Sequence, residues 1–497
     1  MTTAEEIVDP VLERVKTGIE AFDDLVMGGL PRGRTTIVGG TPGSGKTVFA
    51  TQFLAHGITD LDEPGVFVTF EEPSADIEVN MASFGWDIRG WQNAKKLAFV
   101  DASPRDQDEL VVGEFDLAGL LARILHAVQG IGAKRIVLDS LTQLFHHFVA
   151  DQNAIRRELL RVASALKREG LTVLMTAERN SEYGDISRHR IEEFVADNVV
   201  ILRNALDRER RRRTIEVLKM RGSRHVEGEV PITLVSGEGM VAVPLSSLRL
   251  EQQSSTKRVT SGNAELDRMT SGGFFRDSVT LVSGATGTGK TLLVTNFLAG
   301  GAAAGERALL IGYEESRGQL FRNAKSWGVD FEALEAEGRL KVVCLYPEAQ
   351  SLPDHLLMIR ELVEEFKPDR LAIDSLSALE RIAPETGFRE FLISLTSFIK
   401  KHEIAGLCTA TDKSLVGGQS VSEQHISTLT DSIILLRYIQ QAQFMHRGLM
   451  VLKMRGSEHD KQIRRFTIDG DGMHLGDAFE GSPDIFSDSV LPGPATA

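Results

Sequence analysis

Cysteine is nearly missing from this chain: there are two in 497 residues, Cys344 and Cys408. Two thiols make no disulfide framework. Both lie in apolar, strand-like runs (KVVCLY and AGLCTA), as expected of buried free thiols in a reducing compartment. Long hydrophobic runs are missing too. No stretch reaches the roughly 18–20 unbroken apolar residues that a membrane helix needs. The first residues, MTTAEEIVDPVLERVK, are acidic and amphipathic, without the basic leader and apolar segment of a secretory signal. The cytoplasm is the expected compartment. Positive charge is not in excess either: 56 Lys and Arg face 70 Asp and Glu, for a net charge of −14. That balance disfavours a surface whose main task is to coat nucleic acid, while leaving room for a local basic channel.

What is present is ordinary in bulk, with 42% hydrophobic and 25% charged residues, and long enough for two or three domains. The order of the residues is not ordinary, because the chain is written twice. TGIEAFDDLVMGGLPRGRTTIVGGTPGSGKT, from Thr17, matches SGNAELDRMTSGGFFRDSVTLVSGATGTGKT, from Ser261, without a gap. VFVTFEEPSAD answers LLIGYEESRGQ, RIVLDSLTQL answers RLAIDSLSAL, and VLKMRGS occurs at Val217 and again at Val451. A period of about 240 residues makes each copy a whole domain rather than a solenoid unit. The reading is an N-terminal segment over 1–15, a domain over 16–246, a polar linker over 247–257, a second domain over 258–480, and a tail over 481–497. The tail, GSPDIFSDSVLPGPATA, is rich in Pro, Ser and Gly and is expected to be disordered.

Within each copy, short apolar runs of strand length alternate with amphipathic stretches. In the first the runs are TTIVG, GVFVTF, KLAFVD, RIVLDS, LTVLMTAE, NVVILRN and RRTIEVLKM, with helices expected over 116–130 and 151–170. This is the α/β pattern of a mostly parallel twisted sheet with helices on both faces. The last strands follow one another without helices and predict an antiparallel extension at one edge.

GTPGSGKT (Gly40–Thr47) and GATGTGKT (Gly284–Thr291) both fit G-x-x-x-x-G-K-[ST]. Each follows a β-rich run and opens a helical one, the context a phosphate-binding P-loop demands. Gly43, Ser44 and Gly45, with Thr286, Gly287, Thr288 and Gly289, would turn backbone N–H groups around a β-phosphate at a helix N-terminus. Lys46 and Lys290 would reach the β- and γ-phosphates of ATP, and the hydroxyls of Thr47 and Thr291 would ligate Mg2+, with Leu292 next on the helix. Asp139 and Asp374 each end an apolar strand at the Walker-B position and would hold Mg2+ through water. The chain is therefore expected to be a tandem of RecA-like P-loop NTPase domains.

Glu71–Glu72 and Glu314–Glu315 sit where a strand stops after each P-loop helix. In a RecA-like sheet that strand is expected beside the P-loop strand, so the carboxylates would face the γ-phosphate and one could deprotonate the attacking nucleophile. Lys219 and Arg221, like Lys453 and Arg455, are spaced to project from one face of a strand. They suit a finger reaching into a neighbouring subunit's nucleotide, or else a solvated cationic edge. Arg208–Arg213 (RERRRR) is read as a solvated or interfacial strand edge rather than a nucleic-acid site. The copies part company before the penultimate strand. Aligning Asp197 with Asp431 sets Glu193 opposite Ser427 and Phe194 opposite Thr428, two adjacent hydroxyls in the second copy only.

With SFGWD and SWGVD, EEFVADNVVILRN, RRRRTIEVLKMRGSRH, HISTLTDSIILL and LKMRGSEHDK, the chain resembles the KaiC family of circadian-clock ATPases and autokinases from about Thr17 to Asp477. The resemblance implies a two-tier homohexamer with ATP at every subunit interface. It implies hydrolysis by the first ring, with Glu72 beside Glu71 as catalytic carboxylate. The second ring would be a serine/threonine autokinase acting on Ser427 and Thr428, with Glu315 and Glu314 as base. Ser422 and Glu423 stand where the family has a flanking Thr and Asp, and Arg381 matches a nearby Arg. By the same likeness Ser83, Met220, Ser223, His225 and Trp327 would help line nucleotide sites. So would Arg447, Met454, Gly456, Ser457, His459 and Lys461. The tail lacks the polar helical peptide by which family members recruit KaiA, so KaiA is not an expected partner, while a KaiB-type partner stays open. The rival reading is a RecA- or DnaB-like DNA motor or recombinase. It would want basic, glycine-rich channel loops, and SRHRIEEF and KSLVGGQSVSEQH are at best weakly basic. A scaffold in which ATP merely glues the ring is a third reading.

Overall fold

The computed structural model describes residues 12–102, 117–141, 152–184, 196–207, 210–242, 254–382, 385–411, 428–441 and 443–479. Ser427, Ser422, Glu423, Glu193, Phe194 and the tail lie outside them. The chain forms two compact units, Met1–Ser247 and Leu248–Ala497.

The first unit is built on one nine-stranded sheet. Its strands in chain order are β1 (Thr35–Gly40), β2 (Gly65–Thr69), β3 (Leu97–Asp101), β4 (Arg135–Asp139) and β5 (Thr172–Glu178). They continue with β6 (Asn198–Asp207), β7 (Arg210–Met220), β8 (Glu229–Val235) and β9 (Gly239–Ala242). Across the sheet the order is β9-β8-β7-β6-β1-β5-β4-β2-β3. Strands β1 to β6 run parallel and β7 to β9 extend the sheet antiparallel, as the helix-free stretch at the end of the copy predicts. Strands β1 to β7 coincide with the apolar runs of the sequence. Strand β8, whose run Pro231 interrupts, and β9, which is four residues long, do not stand out from it.

Both faces of the sheet are buried, and the strands show it residue by residue. Val38, Phe67, Val137 and Leu174 point into one core, while their neighbours Ile37, Val66, Ile136 and Val173 point into the other. The first face is covered by helix α1 (Lys46–Asp60), which buries Phe49, Phe53 and Leu54. Fully burying each such side chain stabilises by about 1.5–3 kcal/mol. Helices α3 (Leu117–Ile131) and α4 (Gln152–Arg168) cover the second face, within a residue or two of the predicted spans. Between α1 and α3 in chain order lies α2 (Ser74–Met81), which follows the first glutamate pair.

The second unit repeats the design. Its strands are β10 (Val279–Gly284), β11 (Ala308–Gly312), β12 (Leu340–Cys344), β13 (Arg370–Asp374) and β14 (Ala405–Thr411). They end with β15 (Ser432–Gln441), β16 (Phe444–Met454), β17 (Arg464–Asp469) and β18 (Gly472–Ala478). The order β18-β17-β16-β15-β10-β14-β13-β11-β12 is that of the first unit, strand for strand. Helix α5 (Lys290–Ala303) follows the second P-loop, and α6 (Arg317–Ser326) follows the second glutamate pair. Cys408 is buried, its thiol pushed up to about 12 by burial, whereas Cys344 is half-buried rather than buried as expected.

One arginine pins each P-loop helix to its sheet. Arg135 is wholly buried; its Nε bonds Glu63 at 2.7 Å and its Nη1 donates to the Lys16 and Phe53 carbonyls at 2.8 and 2.7 Å. Arg370 does the same with Glu306 at 2.6 Å and with the Thr260 and Phe297 carbonyls, both at 2.7 Å. Each guanidinium lies over a helix ring, Phe53 or Phe297.

Candidate nucleotide sites

Each P-loop links the C-terminal end of a central strand to a helix, β1 to α1 and β10 to α5. Gly43 and Gly45 (φ 75° and 97°) and Gly287 and Gly289 (φ 79° and 108°) occupy the left-handed region, which lets the loop curl its N–H groups inward. Lys46 Nζ is folded onto the carbonyls of Gly40 and Thr41, at 3.0 and 3.2 Å. Lys290 Nζ is likewise folded onto Gly284 and Ala285, at 2.8 and 3.0 Å. Burial pulls the Lys46 ammonium down, against the upward pull of Glu178, Asp139, Glu71 and Glu182. Ser44 Oγ is buried without a partner, and Thr288 Oγ1 donates to the Ala285 carbonyl at 2.8 Å. Thr286 and Gly287 form the exposed tip of the second loop, while Leu292 turns into the apolar core.

The two Walker-B aspartates meet the P-loop threonines directly. Thr47 Oγ1 donates to Asp139 Oδ2 and Thr291 Oγ1 to Asp374 Oδ2, both at 2.8 Å. The other carboxylate oxygen accepts from Thr176 or Thr409 on the adjoining strand. Burial pushes both aspartic carboxyls up, and the threonine bonds oppose that push. A hydroxyl and a carboxylate oxygen are the hard ligands that Mg2+ selects. Among the described residues no group of three or more His, Cys, Asp or Glu is placed to hold a metal by itself. Such a donor set fits Mg2+ brought to the loop with nucleotide phosphates.

The glutamate pairs reach the same place by a route the sequence did not suggest. Strand β2 is not beside β1: β4 and β5 stand between them, and β13 and β14 separate β11 from β10 in the same way. What brings the carboxylates in is the end of the Walker-B strand. Ser140 Oγ donates to Glu71 Oε1 at 2.5 Å and Ser375 Oγ to Glu314 Oε1 at 2.8 Å. The second glutamate of each pair is held instead from the following helix. Asn80 Nδ2 donates to Glu72 Oε2 at 3.2 Å, and Asn323 Nδ2 to Glu315 Oε2 at 2.8 Å. Burial, then the neighbouring charges of Asp374 and Glu314, raise the Glu315 carboxyl, with the Asn323 bond working the other way. Arg381 Nη1 lies 3.9 Å from Glu314.

The candidate finger residues sit at the opposite end of the sheet from the P-loop of their own domain. Strand β7 ends at Met220, so Lys219 is on the strand and Arg221 is the first residue of the turn beyond it. Lys219 Nζ donates to the Ala196 carbonyl at 3.0 Å, and Arg221 Nη1 lies 3.5 Å from Asp197. In the second unit Lys453 Nζ donates to the Thr430 carbonyl and Arg455 Nη2 to the Thr428 carbonyl, both at 2.8 Å. These carbonyls precede β6 and β15, which run parallel to the P-loop strands and begin beside their N-terminal ends. A strand of six residues, about 20 Å, therefore separates the cations from the P-loop that follows the strand.

Met220 and Met454 are buried just before these turns. Ser223 Oγ and Ser457 Oγ accept from Arg14 and Arg258, and Gly456 turns at φ 70°. His225 Nδ1 and His459 Nδ1 are buried without a hydrogen-bond partner, and Lys461 is exposed. The Ser83 carbonyl accepts from Gly237 N and Ser236 Oγ, and Trp327 caps α6. Arg447 pairs with Tyr438 across β15 and β16. Its counterpart Arg213 pairs with Asn204 and donates from Nε to the Gly43 carbonyl at 3.0 Å. The arginine run is thus more than a solvated edge, since Arg213 holds the first P-loop.

A model of the KaiC ATPase domain matches the chain twice, over residues 15–247 and 259–478. The chain is 57% identical over 481 residues to the circadian clock protein KaiC3 of Synechocystis sp., covering 97% of this chain and 95% of that one. It is 51% identical over 478 residues to the circadian clock oscillator protein KaiC of Synechococcus elongatus, covering 96% and 92%. To the KaiC of Prochlorococcus marinus strain SARG it is 50% identical over 476 residues, covering 96% and 95%. With two RecA-like sheets of one topology, two P-loops joined to two Walker-B aspartates, and relatives that span nearly its whole length, this chain belongs to the KaiC family of ATPases.

Proposed function

We propose that each domain binds one ATP with Mg2+, that the first hydrolyses it, and that the second transfers its γ-phosphoryl group to Ser427 and Thr428 of a neighbouring copy in a homohexameric double ring. The ion, held by Thr47 or Thr291 with Asp139 or Asp374, would neutralise charge on the β- and γ-phosphate oxygens. Glu72 orients the attacking water in the first domain. In the second, Glu315 takes the proton of the acceptor hydroxyl as its oxygen bonds to the γ-phosphorus and the bond to the ADP oxygen breaks. Lys219 and Arg221, or Lys453 and Arg455, complete the charge on a neighbour's nucleotide.

The observation that supports this best is the separation just described. Thr428 and both pairs of cations lie a strand's length from the P-loop of their own domain, so neither can meet ATP held there. A neighbouring chain would supply the missing half. The names of the relatives point to a role in a circadian or related signalling system, with clock-type partners. A net charge of −14 speaks against the DNA-motor alternative.

Phosphosite mass spectrometry after incubation with ATP and Mg2+ tests the kinase. Phosphate is expected on Ser427 and Thr428, and it is lost in a chain carrying Glu314→Gln with Glu315→Gln. Mixing then tests the neighbour. Chains with Lys290→Ala become phosphorylated when combined with chains carrying Ser427→Ala and Thr428→Ala. ATP consumption with no phosphate at either residue would leave a two-ring ATPase and overturn the kinase reading.

A further inference from the structure

The first P-loop carries a contact that the second lacks. Past the end of β5 the chain turns around Arg179, whose buried guanidinium donates to the carbonyls of Glu182 and Gly184, both at 3.1 Å. Arg203 Nε donates to the same Glu182 carbonyl at 3.1 Å and lies over the Tyr183 ring. A backbone fixed by two arginines aims the Glu182 side chain at the phosphate loop. Thr41 Oγ1 donates to Glu182 Oε1 at 2.6 Å, and the backbone amide of Asn204, on β6, donates to Oε2 at 2.8 Å. Arg213 grips the Gly43 carbonyl of the same loop. The carboxylate thereby ties the loop to the strand beside it.

The second domain cannot make this bridge. Ala285 stands where the first has Thr41, and Tyr438 stands where it has Asn204. Four residues past the end of β14 the sequence has Leu415, where Glu182 follows β5 by the same interval. The hydroxyl of Tyr438 instead covers the loop, 2.9 Å from where a β-carbon on Gly287 would stand. Two loops of one motif are thus held by different means.

We propose that Glu182 is a positioning residue of the first nucleotide site, holding Thr41 and through it the P-loop in the shape that receives the triphosphate. A glycine-rich loop loses much conformational freedom when it closes on a phosphate, and a brace that fixes it beforehand lowers that cost. Hydrogen bonds to an ionised carboxylate are about twice as strong as neutral ones, which suits the task. A carboxylate near ATP also repels its phosphates. The two effects have opposite signs, so substitution separates them. The inference rests on ATP binding at this site, as proposed above.

The full chain carrying Lys290→Ala, which silences the second P-loop, is titrated with the fluorescent nucleotide mant-ATP and Mg2+. Glu182→Ala loses both bonds and is expected to raise Kd about five-fold. Glu182→Gln restores binding, because its amide oxygen can accept from Asn204 N and its amide nitrogen can donate to Thr41 Oγ1. Thr41→Ala weakens binding by itself but adds nothing in the Glu182→Ala background, as a shared bond requires. An unchanged or lower Kd in Glu182→Ala would mean that repulsion governs and would overturn the proposal. So would a Glu182→Gln chain as weak as Glu182→Ala. Failure of the Glu182-intact chain to bind would sink ATP binding at this site and the proposal together, whereas binding indifferent to Glu182 sinks the proposal alone.

Discussion

Glu315 lies partly buried beside Asp374 and Glu314, and its carboxyl is raised for that reason; the bond from Asn323 holds it down. A base works only when ionised, so phosphoryl transfer in the second domain should fail, as the pH falls, at a value above the ordinary glutamate range near about 4.3. Asn323→Leu removes a contact that favours the charged form. The acidic limb of the pH–rate profile for phosphorylation should then move to higher pH, and an unmoved limb would remove Glu315 from the role of base. The P-loop, Walker-B and glutamate residues were legible because each occurs twice in a chain that can be aligned with itself. Asn80 and Asn323 also occur twice, eight residues after the second glutamate, and the same comparison could have found them. Glu182 gave no such signal. It has no counterpart in the second copy, and its partners Thr41 and Asn204 are distant in sequence.

At the scale of elements, the buried arginines decide how firmly each P-loop helix is seated. Arg135→Met leaves the Lys16 and Phe53 carbonyls without their donor and strips Glu63 of one of its two arginine partners. Breaking a buried pair by removing one member typically costs about 3–5 kcal/mol, and the remaining Arg32 contact favours the lower end. Urea denaturation should register a loss of about 3 kcal/mol. A variant as stable as the parent would show that the pin is dispensable. The strand content was legible from apolar runs, but the order across the sheet was not. In a parallel sheet each crossover can land beside either neighbour, and no run of residues records where it lands. That is why β2 was expected beside β1 although β4 and β5 lie between them.

At the scale of the molecule, two units of one topology share one chain, each with a P-loop joined to a Walker-B aspartate. If nucleotide joins neighbouring copies, losing the phosphate ligand Lys46 should lose the assembly. Light scattering coupled to size exclusion in ATP should show Lys46→Ala below hexamer size. A hexamer that persists without nucleotide would count against ATP as the joint. The separation of Lys219 and Thr428 from their own P-loops bears on the form that the proposed assembly would take. A surface that gives at one end and receives at the other is a heterologous contact, and its copies close into a ring only if the rotation between them returns to the start. Such a molecule would have no finished active site when alone. Its specific activity would then fall on dilution, and the two edge subunits of a broken ring would leave one nucleotide unserved and one pair of cations idle.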